Sequence, residues 1–190
     1  MTAYTNLLEP AAGYCNDRTA YSNDTTTAAL STIVPYQTSY ATMYFGAYGR
    51  NVKATRAGKT PSLTCPRSTV DLYRYAPNSD GVSNELKYPA ALLTADELSL
   101  AGSGNSSSGG SNYNAKSYLR SGNYFWLLSP YFRNSVGNPY GFVMHEYGYL
   151  DDHDGHLNDS YGVRPVISLK PGTTVASGTG IATDPWTINE

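Results

Sequence analysis

The residues best suited to do chemistry lie together between positions 131 and 161. This stretch contains all three histidines of the chain, His145, His153 and His156, and it is rich in aspartate, asparagine and tyrosine. Histidine and carboxylate side chains are the groups that most often bind metal ions or transfer protons in proteins. The stretch is therefore a candidate metal site, a candidate catalytic site, a binding surface or an ordinary polar loop.

The run Asp151-Asp-His-Asp154-Gly155 resembles part of an EF-hand calcium loop. If Gly155 occupies the sixth position of such a loop, the first position is Leu150 and the twelfth is Tyr161. An EF-hand needs a carboxylate at both of those positions, so the template is incomplete. A calcium site of another geometry stays open as an alternative.

Zinc and nucleophile motifs are also incomplete. His145-Glu146 begins like the HExxH motif of zinc proteases, but the residue at the second histidine position is Tyr149. No GxSxG elbow is present, and the sequence around the cysteines matches no catalytic motif. We expect no enzymatic activity and no cofactor. The alternative is a calcium-dependent lectin or a metal-dependent enzyme that uses the Asp/His cluster 145–156.

Bulk properties narrow the class of protein. A chain of 190 residues with 40% hydrophobic residues is predicted to form one domain over residues 1–190. The net charge of −2 gives no electrostatic basis for binding nucleic acid. No apolar run is long enough to span a membrane, and the first residues lack the basic and apolar regions of a signal peptide. A phage structural protein or a fragment of a longer chain would show the same features.

Two apolar segments of strand length bracket the histidine-containing stretch. They are Tyr124–Pro130 before it and Val163–Leu169 after it. Pro130 is expected to end the first strand, because proline cannot donate a backbone hydrogen bond to a neighbouring strand. For the same reason, Pro165 places the second strand at a sheet edge or a bulge. The stretch is therefore expected to be displayed between two packed strands.

The rest of the chain predicts an α+β fold. Residues 36–50 alternate and favour one or two strands, and residues 178–188 end in a last short strand. Thr94 and Glu97 have the spacing of a capping box, which predicts the clearest helix of the chain. Many short antiparallel strands, one or two short helices and long ordered loops are expected. Cys15 and Cys65 either form one disulfide or remain two buried thiols.

Tyrosine is in excess, with 18 residues against four phenylalanines and two tryptophans. Tyrosine offers a large, rigid contact area with a polar group and is enriched in binding surfaces, although it also favours strands.

Asn, Asp, His and Tyr have codons that differ only in the first base. Their enrichment at positions 131–161 is what adenine-directed mutagenesis of asparagine codons would leave; the alternative is a polar loop. Four apolar residues interrupt the stretch at positions suited to a core: Phe142, Val143, Leu150 and Leu157.

Three segments together resemble a domain family of gut bacteria and their phages. They are Leu92-Leu-Thr-Ala-Asp-Glu97, Tyr124-Phe-Trp-Leu-Leu-Ser-Pro130 and Tyr161-Gly-Val-Arg-Pro-Val-Ile-Ser-Leu169. Cys15-Asn-Asp-Arg18 and Leu63-Thr-Cys65-Pro66 resemble further parts of the same pattern. The family is similar to the C-type-lectin-like (formylglycine-generating-enzyme-like) fold, and it is the scaffold of hypervariable proteins made by diversity-generating retroelements.

The resemblance implies a ligand-binding protein on a phage tail or a bacterial cell surface. Its partner would be a protein or glycan on a host or target cell, and its variable region would span about 131–161. Trp126, Arg164 and Pro165 would belong to the scaffold. The Glu-Pro-Asn and Gln-Pro-Asp triplets of calcium-dependent lectins are absent from the sequence, so the resemblance does not extend to calcium-dependent sugar binding.

The polar and aromatic side chains of the variable region are the predicted ligand contacts, and no metal ligand is assigned among them. They are Tyr131, Arg133, Asn134, Asn138, Tyr140, His145, Tyr147, Tyr149, Asp151, Asp152, His153, Asp154, His156, Asn158, Asp159 and Tyr161.

Overall fold

A computed structural model describes residues 6–21, 43–52, 60–75, 84–103, 117–134, 136–151, 155–181 and 183–189. In these residues the protein is a mixed α/β structure of short, mostly antiparallel strands with three short helices, as the sequence predicts in outline. None of the described helices is long and apolar enough to cross a membrane.

The helices are Gly46–Asn51 (α1), Ser68–Asp71 (α2) and Ala95–Leu100 (α3). The strands are Tyr14–Cys15 (β1), Ala20–Tyr21 (β2), Met43–Phe45 (β3), Leu72–Arg74 (β4), Asn84–Glu85 (β5), Ala91–Leu92 (β6), Phe125–Arg133 (β7), Pro139–Met144 (β8), Leu150–Asp151 (β9), Pro165–Val166 (β10), Val175–Ser177 (β11) and Thr187–Ile188 (β12).

The centre of the structure is a five-stranded antiparallel sheet in the order β2-β3-β7-β8-β9. Its longest element is the β7–β8 hairpin, in which Phe125 pairs with Met144 and Phe132 pairs with Tyr140. Alternate residues of β7 point into the core, as the burial of Phe125 and Leu127 shows. The hairpin that carries the first part of the predicted variable region is therefore also the centre of the fold.

The strand predicted at Tyr124–Pro130 is confirmed, but the prediction that Pro130 ends it is wrong. Strand β7 continues to Arg133. The pairing with β8 shifts in register on both sides of Pro130. A proline is tolerated at such an irregularity because no ladder hydrogen bond from its nitrogen is required there.

Helix α3 begins as the sequence predicts. The Glu97 amide donates to Thr94 Oγ1 at 3.1 Å, and the Thr94 amide donates to Glu97 Oε2 at 2.7 Å, which completes the capping box. Leu98 is fully buried one turn later. The helix is anchored to the central sheet because the Ala95 amide donates to Ser129 Oγ of β7 at 3.0 Å.

The strand prediction for residues 36–50 is only partly correct. Met43–Phe45 is a strand, residues 36–42 lie outside the described part of the chain, and Gly46–Asn51 is helix α1. Ala47 is fully buried in this helix. A side chain at Gly46 would place its Cβ 2.6 Å from Asp17 Oδ2, so a glycine permits the close approach. Tertiary contacts therefore override the local strand pattern.

Arg50 of α1 joins three parts of the chain through ion pairs. Its Nε and Nη2 atoms donate to the two carboxylate oxygens of Asp96, each at 2.8 Å, and Nη1 donates to Asp17 Oδ2 at 2.8 Å. Asp96 also accepts the Ser62 amide at 3.0 Å and Asn51 Nδ2 at 3.1 Å. The hydrogen bonds from Arg50 to Asp96 raise the pKa of Arg50 above its ordinary value. We refer to Arg50, Asp17 and Asp96 as the arginine cluster.

Cys15 and Cys65 form a disulfide between residues 50 positions apart in sequence. Of the two possibilities left open by the sequence, the disulfide is the one observed. It holds β1 beside the segment that follows residue 60. Asp17, two residues after β1, and the Ser62 amide both take part in the hydrogen bonds of the arginine cluster.

The remaining predicted strands are shorter than expected. Within Val163–Leu169, only Pro165–Val166 is a strand, and it pairs with β6 in a two-stranded sheet. Pro165 therefore lies in an edge strand, as predicted. The last predicted strand is confirmed as β12, which pairs with β11.

Replacing Arg50 by Ala is expected to lower the free energy of unfolding by about 3–5 kcal/mol, because two buried carboxylates would lose their partner. Urea denaturation followed by circular dichroism measures the change. Arg120→Ala is the matched control, since the exposed Arg120 side chain should contribute less than about 1 kcal/mol. Equal effects of the two substitutions would contradict a central role for the arginine cluster.

Candidate ligand-binding face

The predicted variable region wraps around the β7–β8 hairpin. At the β8 edge, the Gly141 amide donates to the Gly155 carbonyl at 2.8 Å, and Tyr140 bridges to His156. At the opposite edge, the Gly162 amide donates to the carbonyl of Tyr124, just before β7, and the Gly162 carbonyl accepts the Trp126 amide of β7, each at 3.0 Å. Residues 157–161 must therefore pass over one face of the hairpin. We call residues 155–162 the crossing segment.

A close contact between two glycines starts the crossing. A Cβ atom added to Gly155 would lie 1.8 Å from the Gly141 carbonyl oxygen, which no side chain tolerates. A Cβ on Gly141 would lie 3.3 Å from Leu157 Cδ2 and 3.4 Å from Trp126 Cζ3. Gly155 therefore requires glycine, whereas a Cβ atom on Gly141 would need only a shift of a few tenths of an ångström in the Leu157 and Trp126 side chains.

Leu157 does not belong to the core, contrary to the prediction from sequence. Its side chain is 58% exposed and lies over Gly141 on the outside of the hairpin. The other three interrupting residues, Phe142, Val143 and Leu150, are fully buried as predicted. The difference arises because residue 157 is on the crossing segment, whereas the other three are on the strands of the central sheet.

Four aromatic rings form a continuous row across the sheet, which we call the aromatic row. Tyr44 of β3 stacks on Phe132 of β7 at a centroid distance of 5.5 Å. Phe132 stacks on Tyr140 of β8 at 4.1 Å, and Tyr140 contacts His156 of the crossing segment at 4.1 Å. All four rings are half-buried. The row thus combines two predicted contact residues with two residues that were not predicted.

A second group of rings surrounds His145, which is 8% exposed. The rings of Tyr149 and Tyr124 lie at centroid distances of 4.2 Å and 4.4 Å, and Tyr147 stacks at 5.0 Å. The Tyr147 amide donates to His145 Nδ1 at 3.2 Å. In a neutral imidazole the proton must then sit on Nε2, which hydrogen-bonds to the Tyr124 hydroxyl.

Both ring nitrogens of His145 are therefore occupied by hydrogen bonds within the protein. A metal ligand or a general base needs a free nitrogen lone pair, and in this arrangement His145 presents none. Its position is that of an interior packing residue that orients three tyrosines around it.

Asn134 organises the loop between β7 and β8. Its Oδ1 atom accepts the amides of Val136 at 3.1 Å and Asn138 at 2.8 Å. Gly137 completes the loop with a φ of 91°, a conformation that favours glycine. Asn134 therefore holds the conformation of the loop that carries Asn138.

The predicted contact residues fall into four groups by position. The buried ones are Tyr131, His145, Tyr149 and Asp151. The half-buried ones are Arg133, Asn134, Tyr140, His156, Asp159 and Tyr161. The exposed ones are Asn138, Tyr147 and Asn158. Asp152, His153 and Asp154 lie outside the described residues. The buried group offers a ligand little surface, because its side chains already pack inside the protein.

Tyr44, Phe132 and Tyr124 belong to this face but were not predicted from the sequence. Tyr44 is 87 positions or more away from the variable region, and only the pairing of β3 with β7 brings it beside Phe132. Phe132 was inside the variable region but has no polar group to mark it. An excess of tyrosine in residues 36–50 was the available signal for Tyr44.

Among the described residues, no group of three or more His, Cys, Asp or Glu side chains could hold a metal ion. A cavity of about 230 Å³ lies elsewhere, between the Cys15–Cys65 disulfide and the arginine cluster. None of the predicted contact residues lines this cavity. The face on the β7–β8 hairpin and the cavity are therefore separate features.

No protein-family model, curated protein or solved structure matches the chain. Only the residues and geometry of the face therefore bear on its function.

Replacing Gly155 by Ala is expected to lower the free energy of unfolding by about 1–3 kcal/mol, because the added methyl group overlaps the Gly141 carbonyl. Hydrogen exchange should also show faster exchange of the Gly141 amide. Ser160→Ala, an exposed change on the same segment, is the control and should leave both quantities unchanged. Retention of Gly141 amide protection in Gly155→Ala would contradict the proposed contact.

Proposed function

We propose that this chain is a hypervariable ligand-binding protein with a C-type-lectin-like fold, displayed on a phage tail or a bacterial cell surface. Residues 131–161 would be its variable region, diversified by retroelement mutagenesis. It would act by binding, without catalysis, and its ligand would be a protein or glycan on a host or target cell.

The observation that carries the proposal is the division of residues 131–161 by burial. Phe142, Val143, Met144 and Leu150 are fully buried. Nine of the thirteen predicted contact side chains that the structure describes are exposed or half-buried, on the hairpin, on the turn after it and on the crossing segment. A diversified site needs this separation, because the contacts can then change while the packing that maintains the fold does not.

The chemistry of the surface side chains suits recognition of many ligands. Tyrosine and histidine rings give large contact areas at low conformational cost, and Asn and Asp add adaptable hydrogen bonds. The stacked rings of the aromatic row are restrained by one another, so less entropy is lost when a ligand binds. These properties support a binding role for the face.

The residues that the resemblance places in the scaffold make structural contacts. Arg164 donates to the Leu119 carbonyl and lies over the Phe125 ring at 5.0 Å. Trp126 packs against Tyr161 at a centroid distance of 5.2 Å. These contacts fasten the end of the crossing segment to the start of β7. They support a variable region with fixed ends.

The disulfide supports a location outside the reducing cytosol. Disulfides form and persist mainly in secreted, surface-exposed and virion proteins. The proposed phage-tail or cell-surface location is of this kind.

A triple substitution of Asn138, Tyr147 and Asn158 by Ala should abolish binding while the free energy of unfolding changes by less than about 1 kcal/mol, since all three side chains are exposed. Flow cytometry of fluorescently labelled protein on a panel of gut bacteria measures binding, and urea denaturation measures stability. Phe142→Ala is the matched change in the buried scaffold, and it should lower the free energy of unfolding by about 3–5 kcal/mol.

Unaltered cell binding by the triple variant would refute the assignment of the face. A rise in melting temperature with millimolar calcium or zinc would instead favour the metal-dependent alternative, because a bound ion stabilises the folded state.

The genome offers a separate test of diversification. A near-copy of the segment encoding residues 124–165 is expected beside a reverse-transcriptase gene. The coding segment should differ from it only at positions where the near-copy has an adenine. Sequencing the locus checks this directly. Differences spread over all four bases would contradict retroelement diversification, and the chain would then be an ordinary binding domain.

A further inference from the structure

The last part of the described chain contains no buried side chain. Every described residue between His156 and Asn189 is exposed or half-buried. The crossing segment accounts for the beginning of this region. The two parts that follow it, residues 163–170 and 171–189, expose large apolar side chains that the ligand-binding face does not use.

Residues 163–170 carry their apolar face outward. Val163, Ile167 and Leu169 are 66%, 53% and 40% exposed, and Pro165 is exposed beside them. Val166 and the alternate residues Ser168 and Lys170 are half-buried. Side chains two positions apart share a face in an extended chain, so the four exposed residues form one row. We call Val163, Pro165, Ile167 and Leu169 the apolar stripe.

The stripe is held rigidly against the rest of the chain. Pro165 pairs with Leu92 of β6, and Leu169 bridges to Leu8. The Lys170 amide donates to the Leu7 carbonyl at 2.8 Å, and the Glu9 amide donates to the Ser168 carbonyl at 2.8 Å. A fixed apolar surface of this kind typically marks an interaction site.

Residues 175–188 form a separate β-hairpin, which we call the arm. Its two strands, β11 and β12, make up a sheet of their own. Val175, Ile181 and Trp186 are 53%, 59% and 62% exposed. A two-stranded hairpin alone is marginally stable in water, so the arm needs a surface to pack against.

We propose that the arm of one copy packs on the apolar stripe of a second copy, and that the reciprocal contact completes a two-fold symmetric dimer. Each copy then supplies one unpacked arm and one uncovered stripe, and the interface is closed and isologous when both arm–stripe contacts form at once. This association is independent of the ligand-binding face.

Charge does not oppose the same pairing. Between residues 171 and 189 the only charged side chain is Asp184, at the tip of the arm. Arg164 and Lys170 occupy the alternate positions, which face away from the stripe in an extended chain. The net charge of −2 produces little repulsion between copies. The two surfaces that we bring together are therefore almost free of charge.

The available area is adequate for a dimer. The exposed parts of the six large apolar side chains in the arm and the stripe amount to roughly 400 Å² per copy. When the usual polar part of an interface is added, each copy would bury about 650 Å² of surface in total. A standard protein–protein interface buries about 800 Å² per partner. Interfaces towards the low end of this size range are often transient, so we expect a reversible dimer.

Sedimentation equilibrium of the full chain from about 1 to 200 µM measures the association. Ile167→Asp on the stripe and Val175→Asp on the arm should each weaken it at least about tenfold, because each places a charge in the interface. Both side chains are exposed, so the monomer should keep its circular dichroism spectrum and melting temperature. Val136→Asp, at a 74% exposed valine in the β7–β8 loop, is the matched control and should leave the dimer intact.

Mixing the two variants tests which surfaces meet. A mixed dimer retains one unmodified arm on one unmodified stripe, so the mixture should contain more dimer than either variant alone. Arm-to-arm association would leave Ile167→Asp fully dimeric, and stripe-to-stripe association would leave Val175→Asp fully dimeric; either result overturns the arrangement. If the chain stays monomeric at about 200 µM, a second copy does not cover the stripe, and the proposal is wrong. The stripe would then bind a different protein segment.

Discussion

One guanidinium group fixes the geometry on which the rest of the structure depends. Arg50 pairs with Asp96 through two hydrogen bonds and with Asp17 through a third. Through Asp96 it holds helix α3, whose first amide is bonded to Ser129 of the central hairpin. Through Asp17 it holds the segment that carries the disulfide. A planar, permanently charged fork can satisfy two carboxylates at once, which a lysine could not do with the same geometry.

The structure separates maintenance of the fold from presentation of the surface. The arginine cluster and the disulfide secure the side of the molecule that bears α1, α3 and β1. The β7–β8 hairpin extends from this base with a fully apolar interior at Phe142 and Met144. The crossing segment then covers the outer side of the hairpin, where aromatic rings contact one another. Tyr44 and Phe132 of the aromatic row contact the buried Tyr131 ring, which packs on Phe142. Only the exposed side chains of the outer side are therefore separate from the interior.

The features that sequence predicted correctly are those with local signals. The capping box at Thr94 depends on two residues three positions apart, and β7 is marked by a continuous apolar run. Helix α1 was missed because its stabilising partners are distant in sequence: Asp17 is 33 positions and Asp96 is 46 positions from Arg50. The aromatic row was missed for a similar reason, since strand register is decided by the whole sheet. His145 was predicted as a contact from its residue type, but the turn at residues 145–149 places it in the interior.

The contact between Gly141 and Gly155 has a consequence at the level of the gene. Every glycine codon begins with two guanines, so a near-copy that also encodes glycine at these positions has no adenine whose mutation could change the amino acid. Codons for phenylalanine contain no adenine, and those for valine have none in the first two bases, so Phe142 and Val143 would be protected in the same way. If residues 131–161 are diversified as proposed and the near-copy carries the same codons, the process cannot place a Cβ atom at Gly155 or remove the buried Phe142 and Val143 side chains. The genetic code would then exclude destabilising substitutions at these positions before any variant is translated.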